Sequence, residues 1–169
     1  MKTIIAIVGP SGSGKTHLVK FLRKELNIPT IISYTSRPKR PEEKEGIDHF
    51  FLPVTTQLPP AKEMLAHTFF AGHDYFALHT QVPDRLCTYI IDEKGLEELT
   101  LEHSDKYQII AVAIKCNPEI LIERGIAPAR VQRDRERKHL PPNYFDCIIH
   151  NNGGIEEFEF DIIHAINSL

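Results

Sequence analysis

The amino-acid sequence predicts an α/β fold with a central parallel sheet, and three observations support this prediction. Residues 3–8, 87–91 and 108–114 are runs of mainly apolar and β-branched side chains, as expected for strands that are buried on both faces. Segments with a helical spacing of apolar residues follow these runs. A glycine-rich turn joins the first run to the first helical segment. The chain has 169 residues, 41% hydrophobic and 25% charged, which suits one domain with small insertions.

The glycine-rich turn, residues 9–16, has the sequence GPSGSGKT and matches the phosphate-binding pattern G-x-x-x-x-G-K-[ST]. In this pattern the backbone N–H groups and the start of the following helix surround an anion. The lysine reaches the β- and γ-phosphates of a nucleotide, and the hydroxyl after it ligates Mg²⁺. The helix that the pattern requires is indicated by Leu18, Phe21, Leu22 and Leu26. We therefore predict a P-loop NTPase fold that binds ATP through Gly9, Ser11, Gly12, Ser13, Gly14, Lys15 and Thr16.

The first helix should end at Pro29, since proline cannot continue it, and residues 30–34 are predicted as the second strand. Residues 35–51 are polar, charged and rich in proline, which is typical of an exposed loop. Within this segment Arg37 and Arg40 are close enough in sequence to bind one anion, and arginine is suited to bidentate phosphate contacts. These arginines are candidates for binding a second phosphate group.

The strand that begins at Cys87 ends in a carboxylate, Asp92. An acidic side chain at the carboxyl end of a parallel strand, beside a phosphate-binding loop, can organise Mg²⁺ and its waters. The alternative is that Asp92 only caps the turn that follows. Thr16 and Asp92 are therefore the predicted magnesium ligands.

Residues 124–138 contain six basic and two acidic side chains, in a chain with a net charge of −3. One interpretation is a helix with ion pairs between residues four apart. The other is a mobile lid, predicted over 123–138, whose arginines neutralise charge on a transferred phosphoryl group. Arg130 and Arg133 fall on one helical face, which favours the lid.

The overall composition argues against several classes of function. The net charge of −3 does not favour nucleic acid or an anionic membrane as a partner. No apolar run approaches the ~20 residues of a membrane span, and the first strand begins without a signal peptide. The three cysteines are far apart, and the histidines at 67, 73 and 79 do not have a zinc spacing. We expect a cytoplasmic monomer or homodimer whose partners are small molecules.

Residues 33–49 resemble the segment with which the guanylate kinase family grips the phosphate of its acceptor nucleotide. The family has a serine, a threonine-rich turn, two arginines three residues apart, an acidic residue, a glycine and an Asp-Tyr pair there. A histidine stands here in place of the tyrosine, and it can still donate a hydrogen bond to phosphate. The matching residues are Ser33, Thr35, Ser36, Arg37, Arg40, Glu43, Gly46, Asp48 and His49.

Residues 72–78 are similar to the family's Gly-Asn-Tyr-Tyr-Gly-(Ser/Thr) run, which helps to hold guanine. Tyr75 is retained, whereas Phe76 and Leu78 stand where the family has its second tyrosine and its Ser/Thr. His67 falls at about the position of the glutamate that pairs with the guanine edge. The resemblance implies that these four residues bind the acceptor, with altered contacts to the base.

Residues 145–151 are similar to the family's Phe-Asp-x-x-Ile-x-Asn signature, whose asparagine, here Asn151, lies by the adenine of ATP. The arginines at 124, 130 and 133 resemble the family's lid arginines. The resemblance therefore implies catalytic roles for Lys15, Arg37, Arg124, Arg130 and Arg133.

As a whole, the resemblance implies one three-layer domain over 1–169, with a core of 1–32 and 84–169, an insertion for the nucleoside monophosphate at 33–83, and the short lid. It also implies a kinase that uses ATP and Mg²⁺ to phosphorylate a nucleoside monophosphate, with GMP or dGMP as the foremost acceptor. One alternative keeps the fold and changes the acceptor, to another (deoxy)nucleotide or ribose 1,5-bisphosphate. A second alternative is a non-catalytic binding module, against which the complete phosphate-binding loop argues.

Overall fold

A computed structural model describes residues 1–169 and confirms the α/β fold with a central parallel sheet. The strands are β1 (Lys2–Val8), β2 (Thr30–Ile31), β3 (Tyr34–Thr35), β4 (Phe50–Phe51), β5 (Met64–Phe70), β6 (His73–Leu78), β7 (Leu86–Ile90), β8 (Tyr107–Lys115) and β9 (Cys147–His150). The α-helices are α1 (Lys15–Leu26), α2 (Glu93–His103), α3 (Pro118–Glu123), α4 (Pro128–Glu136) and α5 (Ile155–Asn167).

The central sheet has five parallel strands in the order β2-β7-β1-β8-β9. Side chains alternate between the two faces of the central strand β1. Ile4 packs in a buried cluster with α2 on one face, and Ile5 packs in a second cluster with α1 and α5 on the other. Helices thus cover both faces, which is why the strands read as continuous apolar runs.

A second sheet of four short strands, in the order β4-β3-β6-β5, lies within residues 34–78. Strands β5 and β6 form an antiparallel hairpin, and β5 packs against α2. The prediction of a single strand over 30–34 is wrong. The chain leaves the central sheet after Ile31 and joins the second sheet at Tyr34, so the same apolar run serves two sheets.

The basic segment predicted as a lid contains the end of α3 and all of α4. The two helices are separated at Gly125, whose φ of +88° is in the left-handed region where glycine is favoured. Pro128 is the first residue of α4, and the buried residues of this helix are Val131 and Asp134. None of the helices has both the length and the apolar character that crossing a membrane requires.

Candidate active site

A cavity of about 640 Å³ opens at the carboxyl ends of β1 and β7, where ligands bind in open parallel sheets. It is bounded by the glycine-rich loop, by the second sheet and by the arginines of α4 and the turn after it. Most of the residues that the sequence predicts for the site line this cavity. They are Gly9, Ser11, Gly12, Lys15, Thr16, Ser33, Arg37, Arg40, His49, His67, Tyr75, Asp92, Arg130 and Arg133.

Asn151 hydrogen-bonds to the glycine-rich loop but does not line the cavity. The side-chain Nδ2 of Asn151 donates to the carbonyl of the fully buried Ser13 at 2.8 Å. Gly14 has a φ of +107°, and a Cβ built there would lie 2.6 Å from the same Nδ2. Asn151 therefore supports the loop, and its predicted contact with ATP stays a prediction. Close packing explains why the loop needs glycine at position 14.

Arg124 is also placed outside the cavity, contrary to its predicted catalytic role. Its guanidinium donates to Asn151 Oδ1 at 3.3 Å and to the carbonyl of Gly153 at 3.0 Å. Arg124 lies at the end of α3, before the turn at Gly125, so it is directed toward the chain that follows β9. It braces Asn151, which in turn supports the loop.

Lys15 lies in the loop with its ammonium turned onto the backbone. Its Nζ donates to the carbonyls of Gly9 at 2.7 Å and Pro10 at 2.8 Å. Burial, together with the nearby positive charge of Arg137, lowers the pKa of Lys15 from 10.5 to about 8. The negative charge of a bound polyphosphate would favour the protonated form of Lys15 and raise its pKa again.

Asp134 of α4 binds the same loop, and its only distinguishing feature in the sequence is its place between two arginines. Its carboxylate is 2% exposed and accepts from the backbone N–H of Ser11 at 2.7 Å and from Arg133 at 2.7 Å. Burial alone would raise the pKa of Asp134, but these hydrogen bonds outweigh burial and hold the pKa at about 2. Helix α4 is thus anchored to the glycine-rich loop.

Arg137 makes a second connection between the lid and the core, and it too was missed by sequence reasoning. It donates to the carbonyl of Gly9 at 3.2 Å and pairs with the buried Glu93 at 3.2 Å. Arg137 lines the cavity beside the loop. In the sequence, Arg137 is distinguished only by belonging to the basic segment 124–138.

Arg130 lines the cavity and forms no ion pair. Burial, followed by the proximity of Arg40 and Arg133, lowers the pKa of Arg130. Its Nε is buried and has no hydrogen-bond partner. Guanidinium groups from α4 and from the loop between β3 and β4 therefore lie close together, and an anion between them would compensate their charges.

The second anion site is organised around Arg37. Glu43 accepts from its two guanidinium nitrogens at 2.6 and 3.0 Å, which fixes the orientation of the group. His49 Nδ1 lies 2.9 Å from Ser33 Oγ, and burial and the charge of Arg37 lower the pKa of His49. Tyr75 packs edge-on against His49. A neutral imidazole, a phenol and two guanidinium groups thus face the cavity.

Comparisons with known proteins agree with this geometry. The sequence model of the family described as guanylate kinase matches residues 1–107, which is more than half of the chain. A guanylate kinase of Legionella pneumophila (strain Lens) is 32% identical over 162 residues, which are 86% of this chain and 77% of that protein. The chain belongs to the guanylate kinase family.

Two further comparisons cover most of the chain. A guanylate kinase of Hydrogenovibrio crunogenus is 40% identical over 166 residues, which are 89% of this chain and 80% of that protein. The crystal structure of guanylate kinase from Anaplasma phagocytophilum superimposes with a TM-score of 0.68 at 18% identity, covering 99% of this chain and 86% of that one. At that identity the crystal structure supports the fold alone.

Two positions aligned with the family's base-binding residues do not reach the cavity. Phe76 is buried and stacks on Tyr34 at 5.1 Å, and the backbone N–H of Leu78 donates to Gln81. Because side chains alternate along β6, Tyr75 and Phe76 point to opposite faces. The structure therefore places Phe76 and Leu78 outside the cavity lining, on the face of β6 opposite Tyr75.

The third such position, His67, borders the cavity but is paired elsewhere. Its Nε2 lies 2.7 Å from Asp74 Oδ1. In the hairpin His67 is opposite Phe76, on the face that turns away from Tyr75. The cavity-facing residue of β5 opposite Tyr75 is Thr68, which sequence reasoning did not select.

The expected magnesium ligands of this guanylate kinase family member are oxygen donors at the cavity wall. Thr16 and Asp92 both border the cavity. Asp92 Oδ1 accepts from the backbone N–H of Gly95 at 2.7 Å and so caps α2, which leaves its second oxygen available. No group of three or more His, Cys, Asp or Glu side chains could hold a metal by itself. This sparse oxygen set fits Mg²⁺, which keeps most of its waters and binds substrate phosphates.

Proposed function

We propose that this guanylate kinase family member transfers the γ-phosphoryl group of ATP to the phosphate of a nucleoside monophosphate, with GMP or dGMP as acceptor. One observation carries the proposal. The loop with Lys15 and the arginine pair at 37 and 40 face a single cavity, and Arg130 and Arg133 lie at the same cavity. Two phosphate groups could therefore meet end to end among positive charges, as phosphoryl transfer requires.

Each group has a role that follows from its position. The loop amides and Lys15 would hold the β- and γ-phosphates of ATP, while Arg37, Arg40, His49 and Tyr75 would hold the acceptor phosphate. The lid arginines would neutralise the charge that spreads over the transferred group. No general base is needed, because the acceptor oxygen already belongs to an ionised phosphate.

Thr16 and Asp92 would hold Mg²⁺, in part through water. The ion supplies positive charge at the β- and γ-phosphate oxygens. This adds to what Lys15 provides from the loop.

The second sheet and α4 would act as moving parts of the site. We propose that residues 33–83 form the acceptor-binding subdomain and that residues 123–138 form the lid, both mounted on a core of 1–32 and 84–169. Closure of such elements excludes water from the reacting phosphates. In the ligand-free protein the positive charges of Arg40 and Arg133 disfavour the charge of Arg130. Anionic substrates bound between them would remove this repulsion, which would favour closure.

The proposal is tested by steady-state kinetics with ATP and GMP, in which ADP and GDP are both measured. Arg40→Ala should raise the KM for GMP at least about tenfold, because a charge-assisted phosphate contact is lost, and leave the KM for ATP little changed. Lys39→Ala is the matched control, since Lys39 is exposed, adjacent and outside the cavity lining. ADP formation without GDP, or equal effects of the two substitutions, would contradict the proposal.

A further inference from the structure

The base end of the acceptor site can be located from the phosphate end. The acceptor phosphate has to face the glycine-rich loop, so its nucleoside extends away from the loop. The cavity continues there between the hairpin of β5 and β6 and the end of β7, where Tyr89 and Ile90 line it. The cavity face of β5 carries Ala66, Thr68 and Phe70.

The alternation of the hairpin decides which side chains a base would meet. Thr68 is opposite Tyr75, and Ala66 is opposite Ala77, so these residues share one face of the sheet. Ala66 is 2% exposed, Ala77 is fully buried, and Thr68 is 7% exposed. Ala77 does not line the cavity, so this part of the wall presents the methyl group of Ala66 and the side chain of Thr68, whose hydroxyl is its polar group.

None of the carboxylates that border the cavity has both oxygens available. Glu43 is held by Arg37 through both oxygens, Asp48 accepts from the backbone N–H of Lys44 at 2.8 Å, and Asp92 caps α2. Asp74 is paired with His67 and does not line the cavity. Guanine differs from the other bases by two adjacent donors, N1–H and the 2-amino group, which a free carboxylate would accept together.

We infer that the acceptor site binds its ligand chiefly through the phosphate, and that Ala66 and Thr68 leave it without strong selection for guanine among the purines. This inference rests on the proposed function. A Thr68 hydroxyl can donate to a keto oxygen or accept from an amino group, so it serves different purines similarly. The acceptors are then purine nucleoside monophosphates as a class, including those with hypoxanthine or adenine.

The first experiment uses the wild-type protein and needs no variant. Binding of GMP, IMP and AMP is measured by calorimetry in the presence of a non-hydrolysable ATP analogue and Mg²⁺, and kcat/KM is measured for each nucleotide. The three affinities should agree within about 100-fold, since sites that pair fully with a polar edge discriminate by 10⁴ or more. A preference for GMP of more than about 100-fold, or no binding of any of the three, would overturn the inference.

The two proposals fail in different ways. If the three nucleotides bind alike but none is phosphorylated, the proposed function is wrong, and the inference about the shape of the site stands. If GMP alone binds and turns over, the proposed function stands and the inference is wrong.

A second experiment introduces a carboxylate at the base end of the acceptor site. Ala66→Glu places a carboxylate on the cavity face of β5 and should raise the ratio of GMP to IMP affinity at least about tenfold, because only guanine offers the second donor. Thr68→Glu tests the same face if the buried position 66 does not tolerate glutamate. Phe69→Glu is the matched control, since Phe69 is 62% exposed and points to the opposite face. Folded cavity-face variants that leave the ratio unchanged would also overturn the inference.

Discussion

At the scale of single residues, Lys15 combines a functional role with a cost in stability. Its folded-state pKa of about 8 lies below the ordinary 10.5, so the charged lysine destabilises the ligand-free fold at neutral pH. This cost is complete below pH 8, falls as the pH rises above 8 and is gone above pH 10.5. We predict that Lys15→Met abolishes turnover and raises the free energy of unfolding by about 1 kcal/mol at pH 7. Urea unfolding and a coupled ADP assay measure the two effects.

Lys24→Met provides the control for this prediction, because Lys24 is an exposed residue of the same helix and lies outside the cavity lining. It should retain turnover and change stability little. A destabilised Lys15→Met protein would show instead that the bonds to the Gly9 and Pro10 carbonyls outweigh the desolvation of the ammonium.

At the scale of elements, α4 is attached to the glycine-rich loop mainly through Asp134. Its folded-state pKa of about 2 lies below the ordinary 3.8, so its contribution is complete above pH 4 and is lost as the pH falls toward 2. This corresponds to about 2 kcal/mol. We predict that Asp134→Asn lowers the free energy of unfolding by about this amount at pH 7, and that the difference from wild type shrinks between pH 4 and pH 2.

The control for the α4 contact is Glu136→Gln, a substitution of an exposed acid two residues further along the same helix. Denaturant unfolding at several pH values should show no comparable pH-dependent difference for this variant. A deficit in Asp134→Asn that stays constant down to pH 2 would mean that the carboxylate charge is not what anchors the helix.

The helices and strands also show which parts of the structure could be predicted from the sequence. The strands of the central sheet, the loop and Arg37 followed from local patterns, because burial on two faces, tight turns and anion binding each restrict composition. The role of Asp134 did not follow, since it depends on how α4 crosses the loop. Phe76 lies outside the cavity lining, and the period-two alternation of β6 was the signal that could have placed it on the face opposite Tyr75.

At the scale of the whole molecule, three parts of the chain bring positive charge to one cavity: the loop, the second sheet and α4 with the turn after it. In the ligand-free protein this arrangement is unfavourable, as the lowered pKa of Arg130 near Arg40 and Arg133 indicates. Proteins commonly accept such strain where function requires it. Neutralising one of these charges should therefore stabilise the free protein and impair its reaction.

We predict three effects of Arg130→Gln. The melting temperature of the ligand-free protein should rise, and the further rise that ATP and GMP together produce should be halved or abolished. The value of kcat should fall at least about 100-fold. The reason is that Arg130 is repelled by its neighbours until phosphates lie between them. Differential scanning calorimetry with and without both nucleotides measures the first two effects, and a single-turnover assay measures the third. Arg135→Gln, on the exposed side of α4 and outside the cavity lining, should change none of them. A lower melting temperature for Arg130→Gln would mean that the arginines stabilise the free fold, and lid closure would then need a cause other than relief of charge repulsion.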